Sequence, residues 1–421
     1  MAPAAAEEYR QTVEHSKPRT VILGGGIAAL EALLALADLA GERSQLILVS
    51  PEPDFVYKPL AVEEPFSHAP AEHHELEPLV AELGGRFVRG AASRVEVAAH
   101  SVALDDGEQL GYDHLIVCVG GKARAALDHA TTFRVVGDPL EIDPLIERAL
   151  ADESRRLAFV VPPGVTWSLP IYELALMTRS RCEERSVEKL RIAIVTPEEA
   201  PLAIFGTVAS DAVAAQLAAR GVEFEGGSLA VDGESGIELR PHLHPLEAGA
   251  AVALPCIEGR HVAGLPKNDD GFIPIDDHAR VVGADDVWAA GDGTSFPIKQ
   301  GGLATQQADA AAFDIASRLG SAVEAEPFHP VLRGQLIVGH ESLNLEQDVT
   351  GGHGEGRASS DYLWWPPHKV SGRYLAPWLA HESAHAEPAP PAQPLDVEVA
   401  MPREWHSQPM ALDPYGAPDG N

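Results

Sequence analysis

Thr20-Val-Ile-Leu-Gly24-Gly-Gly26-Ile-Ala-Ala29 decides the fold of this 421-residue chain. Residues 20–23 are β-branched or Leu, the pattern of a strand buried on both faces of a parallel sheet. Gly24, Gly26 and Ala29 follow in the spacing G-x-G-x-x-G/A. The first Gly permits a tight turn, and the second lets the backbone approach a pyrophosphate. The small third residue lets the following helix pack close on the sheet. That helix is expected from Ile27 to about Ala40. Its N-terminus would offer free N–H groups and a partial positive charge to phosphates. The next expected strand, Leu46-Ile-Leu-Val49, runs into Ser50, Pro51 and Glu52. An acid is usual at that strand end to hold ribose hydroxyls. Here Ser50, or Glu52 reaching back, would take that contact.

Far along the chain, Val287-Trp-Ala-Ala reads as another buried strand, ending at Gly291 and Asp292. An acid there can accept hydrogen bonds from sugar-alcohol hydroxyls such as those of a flavin ribityl chain. Pro297-Ile-Lys299-Gln300-Gly301-Gly302-Leu303 then leads into a helix expected over 303–318. Free N–H groups around Gly301 and Gly302 would face the carbonyl end of an isoalloxazine ring. They would stabilise the negative charge that reduction places there. The plainer reading is a surface turn before an Ala-rich helix. Taken together, the two stretches read as two halves of a site for FAD.

These residues resemble the flavoproteins with two dinucleotide-binding domains. The resemblance is nearest to the branch holding sulfide:quinone oxidoreductase, flavocytochrome c sulfide dehydrogenase and type II NADH dehydrogenase. Asp54-Phe-Val-Tyr-Lys58-Pro59-Leu60 is similar to the loop that lies beside the flavin. Tyr112-Asp-His-Leu-Ile-Val-Cys118-Val119-Gly120 is similar to the strand that usually ends in Ala-Thr-Gly. Gly301-Gly-Leu-Ala304-Thr-Gln306-Gln307 partly matches a run that type II NADH dehydrogenases place near quinone. The resemblance covers residues 18–320. It implies an α/β fold with two Rossmann-like domains, FAD as cofactor, and electron delivery to a quinone or similar acceptor. Within Pro170-Ile-Tyr172-Glu173, Glu173 matches the Glu that relatives keep beside the flavin, where it would relay a proton. A helix-terminal acid complementing the dipole is the alternative. Lys299 would stabilise a reduced anionic flavin, or stand solvated.

Two features of such enzymes are absent. A second Gly-rich turn, needed for NAD(P)H, is replaced after Leu157-Ala-Phe-Val-Val161 by Pro162-Pro-Gly164. Neither Pro has an N–H to offer a phosphate. The three cysteines, Cys118, Cys182 and Cys256, form no C-x-x-C pair and do not fall where the sulfide branch carries its own. The electron donor is thus left open. Two alternatives stand beside a flavin-to-quinone oxidoreductase. One is an NAD(P)H:acceptor reductase with an atypical nicotinamide pocket. The other is a flavin-binding interaction protein without turnover.

Composition bounds the rest. A formal net charge of −32 argues against nucleic acid and against electrostatic docking on anionic lipid. No run of 18 apolar residues predicts a membrane span, and the N-terminus lacks the pattern of a secretion signal. A cytoplasmic protein, at most peripheral to the inner face of the membrane, is expected. The expected organisation is an FAD domain at 18–150 and 266–320, and a second Rossmann-like unit at 151–265. A C-terminal lid or interface would follow at 321–385, then a Pro-rich tail at 386–421. The segment Asp361-Tyr-Leu-Trp364-Trp365 to Trp378 suits a lid, a homodimer contact or a membrane contact. His73-His74 and His242/His244 lack a third ligand at metal spacing, so no metal is expected. Arg94–Leu104 alternates as a single strand would.

Overall fold

The computed structural model describes residues 17–66, 72–134, 140–339, 342–348 and 356–382. The proposed Pro-rich tail lies outside the described residues. Five parallel strands form the first sheet: β1 (Arg19–Leu23), β2 (Gln45–Ser50), β3 (Arg86–Arg89), β4 (His114–Val117) and a late strand, Val287–Ala289. The late strand lies beside β4, giving the order late strand, β4, β1, β2, β3. Residues 20–23 are buried, as the apolar run predicts. Helix α1 (Ile27–Leu39) packs its Ala- and Leu-rich surface against the sheet and against a long late helix, Gly301–Arg318. Small residues let the two helices approach closely.

A second parallel sheet holds β5 (Arg156–Val160), β6 (Arg191–Val195), β7 (Val222–Glu225) and β8 (Ala250–Ala253), with the short strand Thr131–Thr132 at its edge. In this sheet β8 pairs with β5, β5 with β6 and β6 with β7. Helices Leu169–Glu184 and Thr207–Ala219 connect its strands. The late strand of the first sheet is β9 (Val287–Ala289) in chain order. Three antiparallel strands then follow, β10 (Val331–Ile337), β11 (Ser342–Asp348) and β12 (Arg357–Ser359), and the last described helix is Leu375–Glu382. With Leu76–Glu82 and Ile142–Ala151 as α2 and α3, the later helices are α4 (Leu169–Glu184), α5 (Thr207–Ala219), α6 (Gly301–Arg318) and α7 (Leu375–Glu382).

Two sequence expectations need correction. Arg94–Leu104 is not one strand. It is two antiparallel strands, Ala92–Glu96 and Ser101–Leu104, with a tight turn over Val97–Ala99 between them. His100 takes a left-handed conformation to close that turn, with φ of 48°. Alternation alone cannot show a turn of this kind, because the buried Val95 and Val102 keep the apolar rhythm through it. Helix α6 begins at Gly301 rather than 303, because the Gln300 side chain accepts the Leu303 N–H at 2.8 Å and caps it.

Candidate functional site

Most of the sequence-predicted residues lie at or beyond the carboxyl ends of the first sheet, and Glu173 lies on α4, a helix of the second sheet. Gly24 turns there with φ of +122°, and a Cβ on it would stand 2.2 Å from the Cys118 carbonyl oxygen. Only glycine fits. Gly26, at the start of α1, has nothing within 4 Å of the position a Cβ would take. The space in front of the helix N-terminus is therefore open, as a pyrophosphate requires. Ala29 is fully buried in the contact with the sheet. Ser50 is buried and turned toward this turn, with its Oγ 2.6 Å from the Cβ position of Gly25. The hydroxyl accepts the Glu52 N–H at 3.2 Å, while Pro51 and Glu52 are exposed beside it.

Val119 and Gly120 follow β4, and the Gly120 carbonyl oxygen is 3.1 Å from the Cβ position of Gly293. Gly291 turns with φ of +86° and lies against Ala28 and Ala304, so it joins the starts of α1 and α6. Its N–H is held by the Gln307 side chain at 2.8 Å, and Thr294 shares that oxygen. The Cβ position of Gly301 is 3.1 Å from Ile27 and 2.9 Å from Val370. Two helix N-termini thus open onto one cleft, with Gly302 and Leu303 in the first turn of α6. Asp292 follows Gly291 at this junction and is half-buried. Enclosure in the cleft raises its carboxyl pKa, while Lys299 and Lys58 pull it back. Lys58 and Pro59 form the rim in a short turn, Lys58–Leu60.

Lys299 is committed to the loop. Its Nζ donates to the carbonyl oxygens of Thr294 at 2.6 Å and Phe296 at 2.8 Å, and it stands 3.7 Å from the centre of the Phe272 ring. Burial lowers its pKa to about 8, against the opposing pull of Asp292. Lys299 therefore holds the loop behind Asp292.

Glu173 is fully buried on α4. One carboxylate oxygen accepts the Ile337 N–H of β10 at 3.0 Å, and the other accepts Lys369 Nζ at 2.8 Å. Burial raises the Glu173 pKa, and the Lys369 ammonium opposes the rise. Lys369 precedes Val370, whose N–H reaches the Tyr57 hydroxyl at 2.9 Å and whose side chain packs at Gly301. The pair is thereby tied to the α6 end of the cleft. Sequence reading missed Lys369. The available signal was a lone Lys, one of only seven in the chain, inside an aromatic, Pro-rich segment. Gln306 and Gln307, matched in the sequence to a quinone-side run, are clamps. Gln306 grips both the N–H and the carbonyl of Val331.

At the carboxyl ends of the second sheet, Glu198 is buried. Its carboxylate accepts the hydroxyls of Ser168 at 3.0 Å, Tyr172 at 2.7 Å and Thr196 at 3.0 Å. An acid at this strand end commonly takes a nucleotide ribose. Here it is consumed internally at the start of α4. Cys118 and Cys182 are buried thiols, and half-buried Cys256 lies 3.7 Å from the Pro163 carbonyl oxygen. Asp276, Asp277 and His278 bring three possible ligand atoms together, but Asp276 is engaged by the N–H groups of His278 and Arg280.

Glycine turns, adjoining helix starts and a half-buried acid meet here, the arrangement expected of a flavin dinucleotide site. The residues present fit FAD: the open space at Gly26 would admit its pyrophosphate, and Asp292 and the start of α6 would suit its ribityl and ring ends. The pyridine nucleotide-disulphide oxidoreductase family matches residues 18–312, and the chain belongs to it. It is an FAD-dependent oxidoreductase. The chain is 23% identical over 190 residues to a sulfide-quinone reductase of Aquifex aeolicus, a match spanning 42% of this chain and 43% of that enzyme. It is 24% identical over 337 residues to demethylphylloquinone reductase NdbB of Synechocystis, covering 72% of this chain and 80% of that one. The solved sulfide:quinone oxidoreductase of Aquifex aeolicus superposes with a TM-score of 0.72 at 18% identity, over 81% of this chain and 86% of that one. Among the described residues, no helix is long and apolar enough to cross a membrane.

Proposed function

We propose that this chain passes electrons from a reduced donor through FAD to a quinone, with Glu173 and Lys369 managing the protons that a quinone takes up. FAD, when bound, supplies the two-electron chemistry. Gly24, Gly26 and the start of α1 hold its pyrophosphate, while Asp292 and the start of α6 hold its ribityl and ring ends. The observation that carries the reading is the buried Glu173–Lys369 pair, joined through Val370 to Gly301. Quinone reduction needs two protons with two electrons. A carboxyl raised by burial and paired with an ammonium is suited to pass them at that end of the cleft. Relatives whose names include quinone or phylloquinone reduction support this acceptor class.

The donor reading is narrower. Pro162 and Pro163 offer no N–H, and Glu198 fills its own strand end. Both observations weigh against a nicotinamide donor, although one relative is named an NAD(P)H-ubiquinone oxidoreductase.

The test is anaerobic. The flavin is reduced with dithionite and mixed with menadione or with ferricyanide, an acceptor that needs no proton. Glu173→Gln should slow reoxidation by menadione by about 100-fold, the usual scale of a lost general acid, and spare ferricyanide. Equal slowing of both acceptors, or of neither, would overturn the proposal.

A further inference from the structure

Residues 369–375 form a strap pinned at three places. Lys369 pairs with Glu173, and Val370 bonds Tyr57 and packs at Gly301. The third pin is Glu31, fully buried in the middle of α1. Its Oε1 accepts the Tyr374 N–H and its Oε2 the Leu375 N–H, each at 2.8 Å. These are free N–H groups at the start of α7, so a carboxylate from another element caps that helix. Gly372 is required beneath it, since a Cβ there would stand 2.4 Å from Glu31 Oε2 and 3.1 Å from Thr305.

Glu31 has a further neighbour. Asp309, one turn along α6 from Thr305, shares a side-chain hydrogen bond with the Glu31 carboxyl. Two bonded carboxyls need a proton between them. Asp309 as a residue is half-buried, yet its Oδ1 is cut off from solvent and has no hydrogen-bond partner among the described residues. A neutral carboxyl tolerates such an orphaned oxygen far better than a carboxylate does. Burial first, and then the Glu31 charge, push the Asp309 carboxyl up to about 9. Arg373 opposes this, and Glu326, paired with Arg373 at 3.3 Å, adds to it. Tyr374 faces the same place, with Asp38 nearby.

We infer that Glu31 and Asp309 are positioning residues: the protonated Asp309 fixes Glu31 to dock the strap, and the docked strap sets Lys369 and Val370 at the α6 end of the cleft. Its effect on turnover rests on the quinone reading, whereas the docking itself does not. The sign follows from linkage. Released, Asp309 would ionise near its ordinary 3.8, and docked it keeps its proton to about 9. Docking therefore takes up a proton between those values, weakens as the pH rises through that window, and levels off above it.

The experiment measures amide exchange at Tyr374 and Leu375 in the FAD-loaded protein between pH 6 and 9, corrected for intrinsic rates. Wild-type protection should fall by up to about tenfold per pH unit. Asp309→Asn still donates to Glu31 and cannot ionise, so its protection should be flat across the range. Glu31→Gln loses one acceptor oxygen and should be poorly protected at every pH. The menadione KM should climb with pH in the wild type and not in Asp309→Asn. A wild-type slope persisting in Asp309→Asn would overturn the docking role. Flat exchange with an unmoved KM profile would overturn the positioning role. Wild-type protein that never reduces menadione, with flat exchange in Asp309→Asn, would refute the quinone reading and leave the docking intact.

Discussion

Replacing Lys369 by Met strands the Glu173 carboxyl, which is 0% exposed, beside a side chain that was 8% exposed and carried its counter-charge. The folded variant is expected to protonate Glu173 rather than bury an unpaired charge. The cost then has a calculable ceiling. In the unfolded chain the carboxyl ionises near its ordinary 4.5. Holding it neutral at pH 7 costs about 3.4 kcal/mol, at roughly 1.36 kcal/mol per pH unit. At pH 5.5 the same cost is about 1.4 kcal/mol. The loss should therefore shrink as the pH falls, because the unfolded state binds a proton only at the acid end. Urea unfolding of the wild type and the variant, followed by tryptophan fluorescence at pH 5.5, 6.25 and 7, measures this slope. Lys369→Met combined with Glu173→Gln has no carboxyl to protonate and should return to within about 1 kcal/mol of the wild type. A loss that does not change with pH, or that stays under about 0.5 kcal/mol at pH 7, would refute the buried-pair reasoning.

Gly26→Ala meets open space and should leave the apoprotein within about 1 kcal/mol of wild type, while weakening FAD binding by about tenfold or more, read by flavin fluorescence. Gly24→Ala has no such room and should cost at least about 3 kcal/mol in a thermal or urea melt. NADH and NADPH at millimolar concentration should fail to bleach the bound flavin; rapid bleaching by either would contradict the internal use of Glu198. Tyr172→Phe removes one of the three hydroxyls that satisfy Glu198 and should cost about 1–3 kcal/mol in urea unfolding. Gln307→Ala frees the Gly291 N–H, while the Thr294 hydroxyl keeps the Gly291 carbonyl at 3.0 Å, and should destabilise by a similar amount, about 1–3 kcal/mol. FAD should also dissociate faster from that variant in a dilution assay.

What could be read from the chain was local chemistry. Gly24, Gly26 and Ala29 act through turn geometry and close packing within six residues, so spacing alone exposes them. Gly291 and Asp292 follow a buried strand that the apolar run Val287-Trp-Ala-Ala announces. Glu173 was singled out by its resemblance to a Glu that relatives keep beside the flavin, but its partner lies 196 residues away and no periodicity links them. Glu31 sits in an Ala- and Leu-rich helix and reads there as an ordinary charged position. Its burial depends on α6 and on the segment leading into α7, both far along the chain. Lys299 invited a direct role beside the ring, and its Nζ bonds to two backbone carbonyls are contacts that no local pattern announces. Gln306 and Gln307 resemble a quinone-side run, and their bonds to Val331 and Gly291 could not be read from that resemblance.

The Glu31 bonds to Tyr374 and Leu375 span 343 and 344 residues. They bear on biosynthesis. A ribosome making this chain completes α1 long before it reaches the donors that satisfy the carboxylate inside it. Until then Glu31 has only Asp309 of α6 at hand, and burying it there without the two backbone donors carries a desolvation cost. Contacts of such sequence separation are slow to close and come late. Nascent chains, and products truncated before residue 374, should therefore hold the first sheet with an unfinished helix pair. Such chains would be marked for proteolysis and chaperone binding, and the finished protein would not.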